Sequence, residues 1–195
     1  VIAASRRAGP PPLMYRSEDA GETWVDCDRG AFPADAIVSC VQVKPDDGRV
    51  VLAATNKGVF RSDDGGRSWQ PSNEGLANTW AQKLAFAPSA PNVVYLTVRT
   101  TARAGEEYNG GVYRSDDAGR TWQRRADGLP TRLGRADESP YMTSNVFQIV
   151  VDPRDADVAY VGEQSWVSAG VYKTTDGGRH WERVSYHWGE NKNME

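Results

Sequence analysis

One eight-residue phrase occurs four times in this chain, and its repetition restricts the fold more than any other feature of the sequence. The phrase reads Ser/Thr, any residue, Asp, any residue, Gly, any residue, Ser/Thr, Trp. Its copies are SEDAGETW at 17–24, SDDGGRSW at 62–69, SDDAGRTW at 115–122 and TTDGGRHW at 174–181. They recur at intervals of roughly 45 to 60 residues, which indicates one supersecondary unit per copy, as in a propeller.

The flanks of the phrase repeat as well, and they indicate short strands. A segment such as GVFR (58–61) precedes each phrase, and β-branched runs such as NVVYLTV (92–98) come before these segments. Turns rich in Pro and Asp, for example KPDDG (44–48), separate the runs from another apolar strand. Each unit is therefore predicted to be a four-stranded antiparallel meander, and no segment predicts a helix.

The phrase has the composition of a tight hairpin turn. Its Asp can accept hydrogen bonds from backbone N–H groups later in the turn, and its Gly can adopt positive φ. The Ser/Thr hydroxyls connect the two arms, while the Trp packs into the sheet. The Asp pairs at 63–64 and 116–117 lack the ligand series of a calcium loop. We therefore assign structural roles to Ser17, Asp19, Gly21, Trp24, Ser62, Asp64, Gly66, Trp69, Ser115, Asp117, Gly119, Trp122, Thr174, Asp176, Gly178 and Trp181.

The phrase resembles the Asp-box, also called the BNR repeat, and the flanking strands extend the resemblance to nearly the whole chain. Three boxes match at every defined position, whereas His180 replaces Ser/Thr in the fourth. The resemblance implies a β-propeller related to sialidases, xyloglucanase-type glycoside hydrolases, sortilin-type receptors and photosystem II assembly-factor-like propellers. The segments DPRDADVAYVG (152–162) and GVYKTTDGGRHW (170–181) are most similar to the last three groups. The Asp-box marks a fold and not an activity, so it does not choose among them.

The predicted fold class is all-β, a β-propeller of four-stranded antiparallel blades with Asp-box hairpins, of which about four are present. Residues 1–195 are read as a single segment with a partial blade at 1–30 and blades at 36–72, 81–125 and 146–188. The first unit lacks its innermost strand, so we expect the segment to belong to a larger propeller. Remaining blades or a covering subunit would then protect the open strand edges.

Charge and cysteine content exclude several classes of partner and site. The net charge of −3 provides no broad positive field for nucleic acid. No apolar run is long enough for a transmembrane segment, and the given sequence does not start with a basic-then-apolar signal segment. Cys27 and Cys40 fall on an outer and an inner strand, too far apart for a disulfide, and neither has zinc-ligand spacing. We predict no cofactor and no metal ion.

Loop lengths distinguish two faces of the predicted propeller. If the strands of a blade are labelled a to d from centre to rim, the Asp-box turns and the short a–b turns lie together on one side, the Asp-box face. The b–c and d–a loops lie on the other side, the long-loop face. The long insertions all fall there, at 5–12, 99–110, 128–144 and 163–169. Uneven loop growth on one face favours a binding surface.

Aromatic and arginine residues of the long-loop face are the candidate ligand contacts. Aromatic rings stack on sugars and anchor protein interfaces, and arginine can grip carboxylates or phosphates. Loop packing and ordinary solvated charge are the structural alternatives. The candidates are Trp80, Arg103, Tyr108, Arg132, Arg135, Tyr141 and Trp166.

Two functions are compatible with these features. The first is a binding or assembly module, not separable from a receptor ectodomain, that holds a protein or a polysaccharide on the long-loop face. The second is part of a glycoside hydrolase, xyloglucanase-like or sialidase-like, which needs two carboxylates roughly 5–9.5 Å apart. The candidates are Glu106, Glu107, Asp137, Glu138 and Glu163. No converging pair is recognisable, so we favour the binding module and expect any catalytic pair to be completed outside the segment. The family resemblance implies a secreted, periplasmic or cell-surface location.

Overall fold

All regular structure in the described part of the chain is β-structure. The computed structural model describes residues 1–4, 14–27, 30–133, 143–165 and 169–185. These residues form four antiparallel sheets that follow one another along the sequence. We call the sheets blades 1 to 4. Only strands adjacent in sequence are paired, so each blade is a meander, and the predicted all-β propeller fold is confirmed.

Blade 1 has three strands and the other blades have four. Blade 1 contains β1 (Ile2–Ala4), β2 (Met14–Arg16) and β3 (Val25–Asp26). Blade 2 contains β4 (Val38–Lys44), β5 (Asp47–Thr55), β6 (Gly58–Ser62) and β7 (Gln70–Pro71). Blade 3 contains β8 (Ala81–Ala87), β9 (Ala90–Val98), β10 (Gly111–Ser115) and β11 (Gln123–Arg124). Blade 4 contains β12 (Val146–Val151), β13 (Ala159–Glu163), β14 (Gly170–Thr174) and β15 (Glu182–Arg183).

The second strands of blades 2 and 3 are buried on both sides, which explains their unbroken apolar sequences. The last six residues of β5 and of β9 are all buried. A strand covered on only one side would instead alternate apolar and polar residues. These two blades therefore have a neighbour on each side.

The hydrophobic core lies between the blades, in three clusters. Between blades 1 and 2, the Phe32 and Phe60 ring centroids are 4.5 Å apart, and Trp69 packs against them. Between blades 2 and 3 the cluster includes Leu52, Val59, Leu84, Tyr113 and Trp122. Between blades 3 and 4 it includes Tyr95, Val146, Val161, Tyr172 and Trp181. Each blade is thus stabilised mainly by its neighbours, as expected for a repeat architecture.

The Asp-box turn is held by its own side chains. In the second box the Asp64 carboxylate accepts the backbone N–H groups of Arg67 at 2.8 Å and Ser68 at 2.9 Å. It also accepts the Ser68 hydroxyl at 2.6 Å. The Ser62 hydroxyl oxygen accepts the N–H of Gly66, whose φ is 86°. A Cβ on Gly66 would meet Ile2 of blade 1 at 2.8 Å, so glycine serves both the turn and the close packing of two blades.

The fourth box replaces one of these bonds with a contact between blades. His180 has no hydroxyl, although its N–H still reaches Asp176 at 3.0 Å. Its imidazole Nδ1 instead lies 2.8 Å from a carboxylate oxygen of Asp127 in the loop that follows blade 3. This hydrogen bond raises the pKa of His180.

The tryptophans of the last three boxes join their blades to the preceding ones. The indole N–H groups donate to backbone carbonyls at the rim of the preceding blade, from Trp69 to Cys27 at 3.1 Å and from Trp122 to Ser72 at 2.9 Å. In the same way, Trp181 donates to Arg125 at 2.9 Å. Trp24, in blade 1, donates to Gly21 of its own turn and is 42% exposed.

Both cysteines are free thiols. Cys27 is buried just after β3, and Cys40 is partly buried in β4, the innermost strand of blade 2. The carbonyl of Cys27 accepts the Trp69 indole, so this residue takes part in blade packing through its backbone.

Replacing Trp122 with Ala should lower the free energy of unfolding by about 3–5 kcal/mol, because a core aromatic and its indole hydrogen bond are both lost. Trp24→Ala is the matched control, since Trp24 occupies the same box position but is 42% exposed and makes its indole bond within its own turn. Urea denaturation should give a small change for Trp24→Ala. Equal losses for the two variants would contradict the role assigned to the indole contact between blades.

Acidification should destabilise the fold through the box aspartates. Burial alone would raise the pKa of Asp117, but hydrogen bonds from Ser115, Thr121 and Arg120 outweigh it and lower the pKa to about 2. A carboxylate in an unfolded chain titrates near pH ~3.9. Stability contributed by Asp117 is therefore present above that pH and is lost as the pH falls towards about 2. Thermal melts from pH 6 to pH 2 should show this loss, and Asp117→Asn should reduce it.

Candidate functional site

Hydrogen bonds between turns define the two faces of the described blades. The backbone of each of these Asp-box turns donates a hydrogen bond to the start of the second strand or to the turn before it. The Gly65 N–H donates to Arg49 O at 2.7 Å, and the Ala118 N–H donates to Asn92 O at 2.8 Å. Gly177 N–H likewise donates to Asp157 O at 3.0 Å. The Asp-box turns and the a–b turns therefore share one face. The b–c and d–a loops lie at the opposite strand ends.

Trp80 is an exposed aromatic residue on the long-loop face. It directly precedes β8, the innermost strand of blade 3, and is 39% exposed. The Arg99 guanidinium lies 5.0 Å from the ring centroid, within cation–π range. The backbone of Trp80 is fixed as well, because its N–H donates to Asn78 Oδ1 and its carbonyl accepts the N–H of Arg99. The indole is thus held in place while part of its surface remains open to solvent.

Asn109 organises the 99–110 loop beside Trp80. Its Oδ1 accepts the Thr101 N–H at 2.9 Å, the Ala102 N–H at 3.3 Å and the Thr100 hydroxyl at 3.0 Å. The Asn78 amide donates both to the Asn109 carbonyl at 2.8 Å and to its Oδ1. Sequence reasoning missed this residue. The signal was an Asn directly before two glycines, where a side chain can replace a backbone partner.

Tyr108 is a buried residue that supports the loops of the long-loop face. It is only 9% exposed, and its hydroxyl donates to the carbonyl of Ser144 at 2.8 Å. Burial raises its pKa. The Arg124 guanidinium lies 5.9 Å from its ring centroid. Tyr108 therefore joins the 99–110 loop of blade 3 to the segment entering blade 4, and its ring is not available to a ligand.

Glu163 is a buried carboxylate at the end of β13. It is 4% exposed and accepts the Asn145 N–H at 3.2 Å and the Ser165 hydroxyl at 3.4 Å. These bonds connect the segments on either side of blade 4 at its long-loop end. The described contacts of Glu163 hold loops together.

The remaining candidates are exposed or lie outside the described residues. Arg103 and Arg132 are exposed, as are Glu106 and Glu107. The Arg103 N–H donates to Glu106 Oε2 at 2.8 Å, and the Arg132 carbonyl accepts the Ser144 N–H at 2.8 Å. The candidates outside the described residues are Arg135, Asp137, Glu138, Tyr141 and Trp166. The described part of the site therefore centres on Trp80, Arg99 and the loop organised by Asn109.

A groove lined by charged side chains runs between blades 2 and 3 on the Asp-box face. Lys44, Arg49, Asp63, Asp116 and Arg120 contribute to its walls. Most of these groups have an opposite charge nearby. Arg49 pairs with Asp47, Lys44 with Asp46, and Arg120 lies 3.5 Å from Asp63. We interpret the groove as the solvated gap between two blades.

No group of three or more His, Cys, Asp or Glu side chains in the described ranges could hold a metal ion. None of the residues with described structure form a helix that is long and apolar enough to cross a bilayer.

The model of the Sortilin-Vps10 family, described as sortilin, neurotensin receptor 3, matches residues 13–131, more than half of the chain. The chain belongs to the Sortilin-Vps10 family. This confirms the resemblance to Asp-box propellers that the four repeated phrases indicated. The match covers the boxes of blades 1 to 3 and includes Trp80 and the 99–110 loop.

Curated relatives of this family member are xyloglucanases. A xyloglucanase of Paenibacillus sp. is 27% identical over 95% of the chain and 18% of that protein. Xyloglucanase Xgh74A of Acetivibrio thermocellus is 35% identical over 69% of the chain and 17% of that protein. The chain spans only 15% to 20% of the length of these and similar relatives.

Solved structures support the fold. The GH74 xyloglucanase from Xanthomonas campestris superposes with a TM-score of 0.67 at 18% identity, over 94% of this chain and 28% of that one. An ancestral GH74 enzyme gives a TM-score of 0.66 at 23% identity, over 94% of this chain and 22% of that one. At these identities the likeness establishes the propeller architecture alone.

Replacing Asn109 with Ala should loosen the 99–110 loop, because the N–H groups of Thr101 and Ala102 lose their acceptor. We expect the free energy of unfolding to fall by about 1–3 kcal/mol, the usual cost of leaving such groups unpaired. Limited proteolysis should show faster cleavage between residues 99 and 110. Asn109→Asp keeps the acceptor oxygens and should protect the loop better than Ala. Equal cleavage of Asn109→Ala and the parent chain would contradict this role.

Proposed function

We propose that this chain is the polysaccharide-binding part of a xyloglucan-active propeller protein, and that its long-loop face contacts the glucan. The observation that carries the proposal is Trp80, a half-exposed indole held in a fixed orientation on this face. A flat apolar ring of this kind matches the C–H face of a pyranose. Because Trp80 is ordered before binding, less conformational entropy is lost when a sugar docks.

The surroundings of Trp80 suit a neutral sugar. The Arg99 guanidinium lies over the indole, and Asn78, which accepts the Trp80 backbone N–H, connects this segment to Asn109 of the 99–110 loop. That loop carries Thr, Glu and Arg residues. Such groups can donate to or accept from sugar hydroxyls around a stacked ring. An apolar aromatic centre with polar neighbours is the common arrangement of a ligand site.

The relatives support the substrate class. Two xyloglucanases align with 95% and 69% of this chain, although each is far longer than the matched segment. Glu163, the only described candidate among the buried carboxylates, is occupied by internal hydrogen bonds. We therefore assign binding to this chain and place the completion of any catalytic pair outside it; Glu106 and Glu107 are exposed acidic residues of the 99–110 loop. A glucan-directed function of this kind belongs outside the cytosol, as the family resemblance implied.

A titration of the chain with xyloglucan oligosaccharides by isothermal calorimetry tests the proposal. Trp80→Ala should weaken binding about tenfold or more, since a stacked ring contributes about 1.4 kcal/mol or more in such a site. Trp24→Ala is the control, because Trp24 is equally exposed but belongs to an Asp-box. No binding by the parent chain, or equal affinity of Trp80→Ala, would overturn the proposal. Hydrolysis of the oligosaccharide by this chain alone would contradict the placement of a catalytic carboxylate outside it.

A further inference from the structure

A cleft lies between blades 3 and 4, beside the outermost strand of blade 3. Blade 3 contributes Arg124 of β11 and residues of the segment 125–131, and blade 4 contributes Arg179 of its Asp-box turn. The volume of the cleft is about 530 Å³, which suits a small ligand or a short side-chain cluster. We call it the arginine cleft.

Three arginines line the arginine cleft, and none of them lies within salt-bridge distance of a carboxylate in the described residues. Arg124 donates from Nε to the Gly110 carbonyl at 3.1 Å, and Arg125 donates from Nη2 to the Gln123 side chain at 2.8 Å. Arginines that do pair with a carboxylate elsewhere are Arg16, Arg49, Arg61, Arg67, Arg114 and Arg120. The cleft therefore brings together guanidinium groups that an anion can still neutralise.

Arg125 also has an unmet hydrogen-bond donor. Its Nε is enclosed and has no hydrogen-bond partner in the described structure. A buried N–H group without an acceptor is unfavourable. The side chain as a whole is only partly buried, so its guanidinium has room to turn towards the cleft. A Cβ on Gly178 would lie 3.0 Å from the Arg125 Cβ, so Arg125 packs directly against the turn that carries Arg179.

The negative charges near the cleft already have partners. Of the described residues that line it, only Asp127 is acidic, and its carboxylate lies 2.8 Å from the His180 imidazole. This hydrogen bond raises the pKa of His180 and so favours its positively charged form. Asp176, in the same turn as Arg179, accepts the Thr174 hydroxyl and the His180 N–H of its own box. The three arginines therefore leave the cleft positively charged.

The corresponding cleft between blades 2 and 3 is different. Pro71 and Ser72 stand there in the positions of Arg124 and Arg125, and the Ser72 carbonyl accepts an indole N–H as the Arg125 carbonyl does. Its charged lining residues are Arg61, Arg120, Asp63 and Glu74. Both of these arginines lie within salt-bridge distance of Asp63. Excess positive charge is thus a property of the arginine cleft and not of every gap between blades.

We propose that the arginine cleft binds an anion that carries two or more carboxylate groups. A guanidinium can hold a carboxylate through two parallel N–H bonds. Arg124 and Arg125 approach from one wall and Arg179 from the other, so two carboxylates of one ligand can be held at once. They can belong to a free small acid or to neighbouring acidic side chains of a peptide. None of the described lining residues is aromatic, so this site is separate from the glucan site proposed at Trp80.

Titration of the chain with citrate, followed by NMR, tests the proposal. The Trp181 indole N–H donates to the Arg125 carbonyl, so its signal should shift when citrate binds. The Trp122 signal should stay in place, because that indole donates to Ser72 in the corresponding cleft. Arg125→Gln and Arg179→Gln should each weaken binding about tenfold, the usual effect of losing a hydrogen bond between charged groups.

Arg120→Gln is the matched control, since Arg120 occupies the box position of Arg179 beside the corresponding cleft. It should bind citrate as the parent chain does, and so should Trp80→Ala, which separates this site from the glucan site. Loss of citrate binding in Arg120→Gln to the same extent as in Arg179→Gln would mean a non-specific charge effect and overturns the proposal. Circular dichroism checks that each variant is folded, and Arg179→Gln alone suffices if Arg125→Gln is not.

Acetate and a short polyglutamate peptide complete the experiment. Acetate has one carboxylate and should bind much more weakly than citrate. Tighter binding of the peptide than of citrate identifies an acidic protein segment as the source of the carboxylates, and the reverse order identifies a free small acid. No binding of citrate or peptide at about 10 mM, where even a millimolar site is mostly occupied, overturns the proposal. Acetate binding as tight as that of citrate overturns it as well.

Discussion

The packing of blades 2 to 4 depends on the hydrogen bond from three box tryptophans to a carbonyl of the preceding blade. Trp69, Trp122 and Trp181 each make it, at 2.9 to 3.1 Å, and each is almost fully buried between two sheets. A large apolar ring with one polar atom can fill such an interface only if that atom finds a partner. The Asp-box turn holds the indole in a fixed orientation. This explains why the whole phrase is repeated and not the tryptophan alone.

The strands and the box turns could be predicted from the sequence because both depend on short-range chemistry. The Asp, Ser and Gly of one turn contact each other within a few residues, so their pattern is visible in the sequence. One detail of the turn was not foreseen. Ala118 has a φ of 58° at a position where Gly65 stands in the second box, so an alanine tolerates the left-handed region there.

The site was harder to predict because its residues are positioned by contacts between loops distant in sequence. Tyr108 looked like a surface aromatic, but the Ser144 carbonyl, 36 residues away, accepts its hydroxyl and buries it. Glu163 looked like a loop acid, yet Asn145 and Ser165 enclose it. Arg99 packs over the Trp80 ring, and the residue is still 39% exposed. The same rigid blades that bury the box tryptophans thus present Trp80 at the end of an innermost strand.

We propose that the long-loop face, and not the Asp-box face, contacts the glucan. The seven tryptophans of the chain make it directly testable by NMR, since each indole N–H gives its own signal. During a titration with xyloglucan oligosaccharide, we expect a large shift of the Trp80 signal, while the signals of Trp69, Trp122 and Trp181 stay in place. Shifts of the box tryptophans with an unchanged Trp80 signal would contradict it.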